Sequence, residues 1–230
     1  MLSKPWMPTD ASPWFWASVI GCGLFWLVAY ALIIRHGIKE KTFGMPLAAM
    51  CWNISWEVLF AFVYPPDYRL IVVGNVLWVA FDITILILAW KFAPDDFPEG
   101  WSRRLVRPGI VMGLILATVL QIPLAHEYHD MKGYLTGWMA ALMMSLLFPA
   151  MLLRRNSLKG QSLWIAVAML GGNIWAWVWV KYYPTNPPDA VINPSINHLF
   201  FIATCSFNAL YVAFVYRRAR ELGINPWTRW

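Results

Sequence analysis

Long apolar stretches, separated by short polar connections, set the pattern of this chain. Seven stretches have about 18 residues or more, and none shows the apolar–polar alternation of membrane β-strands. Lipid offers backbone groups no partner, so such stretches fold as helices that satisfy their own hydrogen bonds. The sequence predicts an all-α integral membrane protein, a single bundle of seven transmembrane helices over residues 1–230. The predicted spans are 14–34, 45–63, 70–91, 108–125, 134–153, 161–180 and 198–216.

Composition supports the membrane class. Hydrophobic residues make up 60% of the chain and charged residues 13%, with a mean hydropathy of +0.52. Soluble domains carry about 25% charged residues. A soluble protein this apolar would not cover its own surface with polar groups, so a soluble class is excluded.

Lysine and arginine are distributed asymmetrically between the two sides of the predicted bundle. Connections 34–44, 91–107 and 154–160, together with the tail 217–230, hold 14 of the 18 basic residues. Basic connections stay in the cytoplasm, so the N-terminus is expected outside and the C-terminus in the cytoplasm. This topology accounts for the net charge of +6, and no nucleic-acid partner is expected.

Two acidic side chains, Glu57 and Asp82, fall well inside predicted spans. An ionisable residue there costs about 3 kcal/mol and by default indicates function. Glu57 lies one helical turn after Asn53, and Asp82 shares a helix face with Asn75 and Trp78. The structural alternative is hydrogen bonding between helices. Burial favours the protonated form of a carboxyl group, so Glu57 is a candidate proton donor.

Polar positions also recur at helical spacing in the last two spans. Trp177 follows Asn173 by one turn in the sixth span. The seventh span carries a polar face made of Asn197, Thr204, Asn208 and Tyr211. Since four spans each carry such a face, we expect them to enclose a shared pocket. Deep tryptophans beside these faces offer π-faces that stabilise a cation.

Familiar cofactor motifs do not fit. His126 and His129 are spaced i, i+3 in a connection, unlike the i, i+4 pair of zinc-protease helices. Asp95 and Asp96 form a single acidic pair with no second acidic cluster to complete a magnesium–diphosphate site. No lysine lies in the middle of the seventh span to attach retinal. We therefore expect no metal and no cofactor.

The stretch AAMCWNISWEVLFAF, with Asn53, Trp56 and Glu57, resembles the membrane-integral terpene cyclases of meroterpenoid and indole-terpenoid biosynthesis. The resemblance implies a metal-independent enzyme that protonates an epoxide or terminal alkene of a prenyl chain and guides cationic ring closure. It also implies that Glu57 is the catalytic acid. The family has an aspartate in its last span with a tyrosine one turn later, whereas this chain reads SFNALY, with Asn208 and Tyr211.

Asn208 therefore departs from the family pattern, because an amide does not donate a proton as a carboxylic acid does. Either Asn208 only orients a group, or it replaces an aspartate, or Asp82 supplies the second carboxyl group. We favour Glu57 and Asp82 as the catalytic pair, with Asn208 hydrogen-bonding in the same pocket. The expected substrate-binding residues are Asn53, Trp56, Asn75, Trp78, Asn173, Trp177, Thr204 and Tyr211.

A second class of function stays open. A transporter of protons or small solutes would use Glu57 and Asp82 as a proton relay. The expected partners are a lipophilic prenylated aromatic, indole or polyketide substrate and the lipid bilayer of a bacterial inner membrane or endoplasmic reticulum. The sequence leaves open the epoxide or alkene, the head group, the ring pattern of the product and the oligomeric state.

Overall fold

The computed structural model describes residues 4–9, 11–183 and 194–230, which form α-helices joined by short connections. Within these residues there are seven α-helices and no strand. The helices are α1 (Pro13–Glu40), α2 (Leu47–Val58), α3 (Arg69–Phe92), α4 (Trp101–Glu127), α5 (Tyr134–Arg155), α6 (Leu163–Tyr182) and α7 (Pro194–Glu221). A π-helical turn, Leu59–Val63, continues α2. The prediction of an all-α chain is confirmed.

Six of the helices are long and apolar enough to cross a membrane, and α2 is the shorter one. With its π-helical turn, α2 extends over Leu47–Val63. Several helices continue past the predicted apolar spans. The clearest case is α4, which begins at Trp101 although the predicted span begins at residue 108. Its first turns are basic, and arginine is a good helix former outside the apolar region.

The sequence around α2 fixes both of its ends. Pro46 precedes the helix, and Pro65 and Pro66 follow its π-helical turn, where proline cannot donate a helical hydrogen bond. The carbonyl of Phe60 near this end accepts a 3.1 Å hydrogen bond from the Asn75 side-chain amide. Asn75 thereby satisfies a backbone group that would otherwise be unpaired in an apolar setting.

The helices form a ring around a cavity. Extensive contacts join α1 to α6, α6 to α7, α7 to α5, α5 to α2, α2 to α3 and α3 to α1. Helix α4 packs against α2 from outside this ring. Polar contacts support that packing: Thr118 donates to the Ser55 hydroxyl at 3.0 Å, and Gln121 donates to the Trp52 carbonyl at 2.9 Å. Polar side chains between membrane helices commonly hold them together in this way.

The two ends of the bundle differ in chemistry. One end, here called the Tyr183 end, holds an aromatic cluster that includes Phe15, Tyr134 and Tyr183. The opposite end holds charged pairs, among them Arg229 with Glu40 at 2.6 Å. Helix α2 runs from this charged end towards the Tyr183 end, which places Glu57 in the second half of its length.

Glycines allow α1 and α6 to approach closely, as small residues do between membrane helices. A Cβ atom at Gly21 would lie 2.5 Å from the Trp175 ring, and one at Gly171 would lie 2.5 Å from Phe25. A Cβ atom at Gly172 would lie 2.7 Å from Trp26, which lines the cavity. This contact between the helices therefore also holds one wall of the cavity in place.

Gly21→Ala is expected to destabilise the bundle by about 1–3 kcal/mol, the usual cost of overpacking. The added methyl group would lie 2.5 Å from the Trp175 ring, so that ring or the helix that carries it has to shift. Thermal unfolding in detergent, followed by circular dichroism, measures the effect. Gly23→Ala is the matched control in the same helix, since nothing lies within 4 Å of its Cβ position. Equal melting temperatures for the two variants would contradict the close α1–α6 contact.

Candidate active site

A large cavity opens into the ring of helices, with an empty volume of about 1080 Å³ that includes open solvent. The walls come from α1, α2, α3, α5 and α6. Among the residues that the structure describes, neither α4 nor α7 lines it. The aromatic lining residues are Trp26, Tyr30, Trp56, Phe60, Trp78, Tyr134, Trp138, Trp179 and Tyr183.

Glu57 is the carboxylic acid in this wall. Asn53 and Trp56 of α2 and Phe60 of its π-helical turn line the same cavity, and their spacing places all four side chains on one face. Glu57 is only 5% exposed, and its Oε2 atom has no hydrogen-bond partner among the described residues. Cys22 of α1 lies nearby, close enough to interact electrostatically with the carboxyl group. Glu57 is thus a buried acid at the edge of an apolar cavity.

Asp82 lies behind the cavity wall rather than in it. The Asn53 side-chain amide donates to Asp82 Oδ2 at 2.8 Å and lies 2.5 Å from the Tyr30 hydroxyl oxygen. The Tyr30 hydroxyl is also within hydrogen-bonding reach of Asp82. Asp82 itself is fully buried, and it interacts electrostatically with Glu57. The three side chains therefore form a hydrogen-bonded group, here called the Asp82 triad, beside Glu57.

Aromatic rings surround these polar groups. Trp78 lies 5.6 Å from Tyr30 and 5.9 Å from Phe81 between ring centroids. Trp56 is held by its indole N–H, which donates to the Gly133 carbonyl at 3.0 Å and to Thr136 Oγ1 at 3.2 Å. Rings fixed in this way present stable π-faces to the cavity, and such faces attract a cation.

The predicted site residues fall into two groups. Glu57, Asn53, Trp56, Asn75, Trp78 and Asn173 line the cavity, and Asp82 contacts it through Asn53 and Tyr30. The second group lies outside the lining; it comprises Trp177, Thr204, Asn208 and Tyr211.

The second group belongs to the contacts of α7 with α5 and α6. Trp177 stacks on Phe201 with ring centroids 4.9 Å apart. Tyr211 packs on Phe148 of α5 with centroids 5.6 Å apart. Thr204 and Asn208 are fully buried, and within the described part of the chain their polar side-chain atoms have no hydrogen-bond partners. The polar face of α7 thus turns towards its neighbouring helices and not into the cavity.

Sequence reasoning missed the contribution of α1. Cys22, Trp26 and Tyr30 all line the cavity, and they recur every four residues along that helix. This spacing was a usable signal, since residues four apart share a helix face. Trp179 of α6 was missed as well, although it lies one turn after the lining residue Ala176.

The acidic and histidine motifs take part in other contacts. His126 Nε2 lies 3.1 Å from the Tyr64 hydroxyl. Asp95 pairs with Arg103, and Asp96 pairs with Arg154 and with Arg155. Throughout residues 4–9, 11–183 and 194–230, no group of three His, Cys, Asp or Glu side chains is placed to hold a metal ion.

A membrane helix bundle with a buried acid in an aromatic cavity defines a class, the membrane-embedded enzymes that act on apolar substrates. Comparison with known families gives the particular one. Residues 3–222 match the Pyr4-like transmembrane terpene cyclases, and the chain belongs to this family. It is therefore a multi-pass membrane terpene cyclase. The prediction of a terpene cyclase is confirmed, and the transporter alternative is set aside.

Curated relatives agree with this assignment. The Pyr4-family terpene cyclase mfmH of Annulohypoxylon moriforme is 30% identical over 193 residues, which cover 81% of this chain and 78% of that protein. Terpene cyclase esdpB of Penicillium shearii is 24% identical over 221 residues, covering 92% and 90% respectively. Terpene cyclase pyr4 of Aspergillus fumigatus is 26% identical over 214 residues, covering 90% and 87%. No solved structure matches the chain.

Proposed function

We propose that Glu57 starts a metal-independent cyclisation by protonating the prenyl chain of a prenylated aromatic, indole or polyketide substrate. The observation that carries this proposal is the place of Glu57, a buried acid in the wall of a cavity that nine aromatic side chains of the described residues line. Burial favours the neutral carboxylic acid, the form that gives up a proton to a reacting group.

The reaction begins with transfer of the carboxyl proton to the epoxide oxygen or to a terminal alkene carbon. Opening of the C–O bond, or protonation of the double bond, leaves a cation on the chain. The next double bond supplies an electron pair, which forms the ring bond and moves the cation along. Loss of a proton from the last cation returns the proton to the Glu57 carboxylate, so product and substrate are isomers.

Asp82 acts through its neighbours in this proposal. Since it is fully buried behind Asn53, it does not touch the substrate. Its carboxyl group orients the Asn53 amide and the Tyr30 hydroxyl, both of which line the cavity. The Asp82 triad thereby fixes polar groups next to the acid, and Asp82 is a positioning residue.

Asn208 has no part in the chemical steps of this proposal. It lies on the face of α7 that meets α5 and α6, away from the cavity lining. Asp82 therefore takes the place of the second carboxyl group that the resemblance assigns to the last span.

For the topology we propose seven passes, with α2 as the short one. The N-terminus then lies outside and the C-terminus in the cytoplasm, as the asymmetric basic residues favour. A prenyl substrate reaches the cavity from the lipid bilayer.

The purified protein in lipid nanodiscs tests the proposal. Prenylated phenol and prenylated indole, each with a terminal alkene or a terminal epoxide, are incubated with excess EDTA or with magnesium. We expect cyclised product from at least one substrate at equal rates in both conditions. Product only in the presence of magnesium, or no product from any substrate, would contradict it.

Trp78→Ala is expected to change the products. Removal of its π-face, which lies beside Tyr30, leaves the cation less stabilised and opens space for water. Incompletely cyclised or hydroxylated products should rise from a minor share to about half of the total, as measured by mass spectrometry. Trp177→Ala is the matched control, since Trp177 packs on Phe201 outside the cavity, and its product pattern should stay that of the parent protein. The same product change in both variants would argue against a specific role for Trp78.

A further inference from the structure

A polar group at the mouth of the cavity is not used by the proposed chemistry. It lies at the Tyr183 end of the cavity, here called the mouth, where Lys132, Tyr134, Tyr183 and Pro66 line the wall. Lys132 Nζ lies 3.0 Å from Asp67 Oδ2, and the Lys132 side chain is 25% exposed. Apart from Glu57, it is the one charged side chain among the described lining residues. A cationic group at this end of a largely aromatic cavity suits a ligand with a polar end.

The surroundings of Lys132 are aromatic. Its Nζ atom lies 4.9 Å from the centroid of the Tyr183 ring, and the Tyr183 hydroxyl donates to Asp67 at 3.4 Å. Tyr134 meets Tyr183 edge-on, with centroids 5.5 Å apart. Burial, together with the nearby Asp67 carboxylate, raises the pKa of Tyr183, so its hydroxyl stays neutral and donates. A flat ring can pack between these side chains with its polar atoms towards Lys132 and Asp67.

The turn that carries Lys132 is held firmly. The Asp130 side chain accepts hydrogen bonds from the backbone N–H of Leu135 at 3.1 Å and of Thr136 at 2.8 Å, at the start of α5. Gly133 has a φ of +74°, and a Cβ atom there would lie 2.8 Å from Phe60. The turn therefore keeps a fixed position against α2.

The same turn is joined directly to the helix of the catalytic acid. The Gly133 carbonyl accepts the indole N–H of Trp56, the residue next to Glu57. A ring bound at the mouth is thereby set at a fixed depth relative to Glu57.

We propose that the mouth is a head-group subsite for a flat ring bearing an acidic hydroxyl, a phenol or an enol, whose oxygen accepts from Lys132. This inference rests on the proposed function, because it places the ring at the Tyr183 end and the attached prenyl chain alongside Glu57. An ammonium group has three N–H donors, and the bond to Asp67 leaves others for the ligand. Since hydrogen bonds to charged groups are the stronger ones, an ionised ring oxygen gains most there. An indole, which only donates at its nitrogen, gains less.

A chromogenic probe tests the subsite without turnover. The probe is a farnesylated nitrophenol, whose hydroxyl ionises near neutral pH with a change of colour, and its O-methyl ether serves as the matched ligand. Binding to the protein in nanodiscs is followed by tryptophan quenching, and ionisation of the bound nitrophenol by its absorbance.

The variant Lys132→Gln should weaken binding of the nitrophenol about tenfold or more, the usual effect of losing a hydrogen bond to a charged group. Binding of the O-methyl ether should change less than about threefold, since it lacks the acidic hydroxyl. Lys181→Gln is the matched control, because Lys181 lies at the same end over the rings of Trp177 and Tyr182, outside the cavity lining. It should bind both ligands like the parent protein.

The direction in which the ionisation midpoint of the bound probe shifts can also be predicted. An adjacent ammonium group favours the anion, so the midpoint in the parent protein should lie below that of the free probe. Lys132→Gln should raise the midpoint by about one pH unit, and Asp67→Asn, which removes a competing negative charge, should lower it.

Equal midpoints in the parent protein and Lys132→Gln would overturn the subsite, as would equal loss of affinity for both ligands. Failure of the proposed function would appear in a different experiment, as no turnover of any prenylated substrate. The binding measurements with the nitrophenol probe do not depend on that turnover.

Discussion

Glu57→Gln is expected to abolish cyclisation, with the rate falling at least about 10³-fold. A general acid contributes about 10²–10⁴-fold, and here the acid starts the whole reaction. The amide has nearly the same volume and keeps the fold, but it has no acidic proton to transfer. Product formation is measured in nanodiscs at saturating substrate, and thermal unfolding verifies that the bundle is intact.

The control for this variant is Glu127→Gln, which makes the same chemical change at an exposed position near the end of α4. It should keep full activity. Glu57→Asp is informative as well, since it retains the acid but withdraws it by one methylene group. We expect it to retain a measurable fraction of the rate. Activity of Glu57→Gln within about tenfold of the parent protein would be incompatible with Glu57 as the proton donor.

Asp82→Asn is expected to lower kcat by about 10–100-fold while KM changes little. The substitution keeps the volume but removes the carboxyl group that accepts from Asn53 and lies within hydrogen-bonding reach of Tyr30. Hydrogen bonds to charged groups contribute about 1.5–3 kcal/mol, which corresponds to this range of rates. Because Asp82 does not line the cavity, substrate binding should hardly change. A raised KM with unchanged kcat would contradict the positioning role.

A double variant separates positioning from mere support of the fold. If Asp82 acts through Tyr30, then Asp82→Asn combined with Tyr30→Phe should be about as slow as Asp82→Asn alone. If the rate losses of the two single variants multiply in the double variant, the two residues act independently. Asn208→Leu is the comparison on α7 and should retain kcat within about threefold, since Asn208 lies outside the lining. A larger loss of kcat in Asn208→Leu than in Asp82→Asn would assign the second polar role to Asn208 in α7 and not to Asp82.

The sequence predicted the helical class well, and it singled out two acids that the structure shows to be buried. The reasons are physical. Lipid allows few backbone structures, so apolar length alone indicates helices. A carboxyl group in an apolar stretch is costly enough that its presence is informative, which is why Glu57 and Asp82 stood out. Asn53 followed from helical spacing, and the structure places it between the two acids, in contact with Asp82.

The contacts of the polar face of α7 could not be predicted from the sequence. Periodicity says that Thr204, Asn208 and Tyr211 share a face, but not which neighbour that face meets. The order of helices around the ring decides this, and α7 lies between α5 and α6. Conversely, Tyr30 sits in an apolar stretch of the first helix with no charged residue within four positions in sequence. Only the packing of α1 against α3 brings it to Asp82.

The predicted span 45–63 matches the helix Leu47–Val63, but the π-helical end of α2 was beyond a hydropathy argument. Its 17 residues, with a π-helical turn at the end, depend on Asn75 of another helix to satisfy the Phe60 carbonyl. Such a contact between distant residues leaves no local trace in the sequence. Asn75 was predicted to bind substrate, and in the structure it lines the cavity while also supporting this helix end.

The structure of Glu57→Gln in a nanodisc with a bound prenylated substrate tests the central claim most directly. That variant should bind substrate without converting it. The account predicts the epoxide oxygen or terminal alkene carbon within about 3.5 Å of the residue-57 side chain, the distance that proton transfer requires. The prenyl chain should lie along Trp26 and Trp78. A substrate whose reacting end lies more than about 6 Å from that side chain, or beside the buried face of α7, would contradict it.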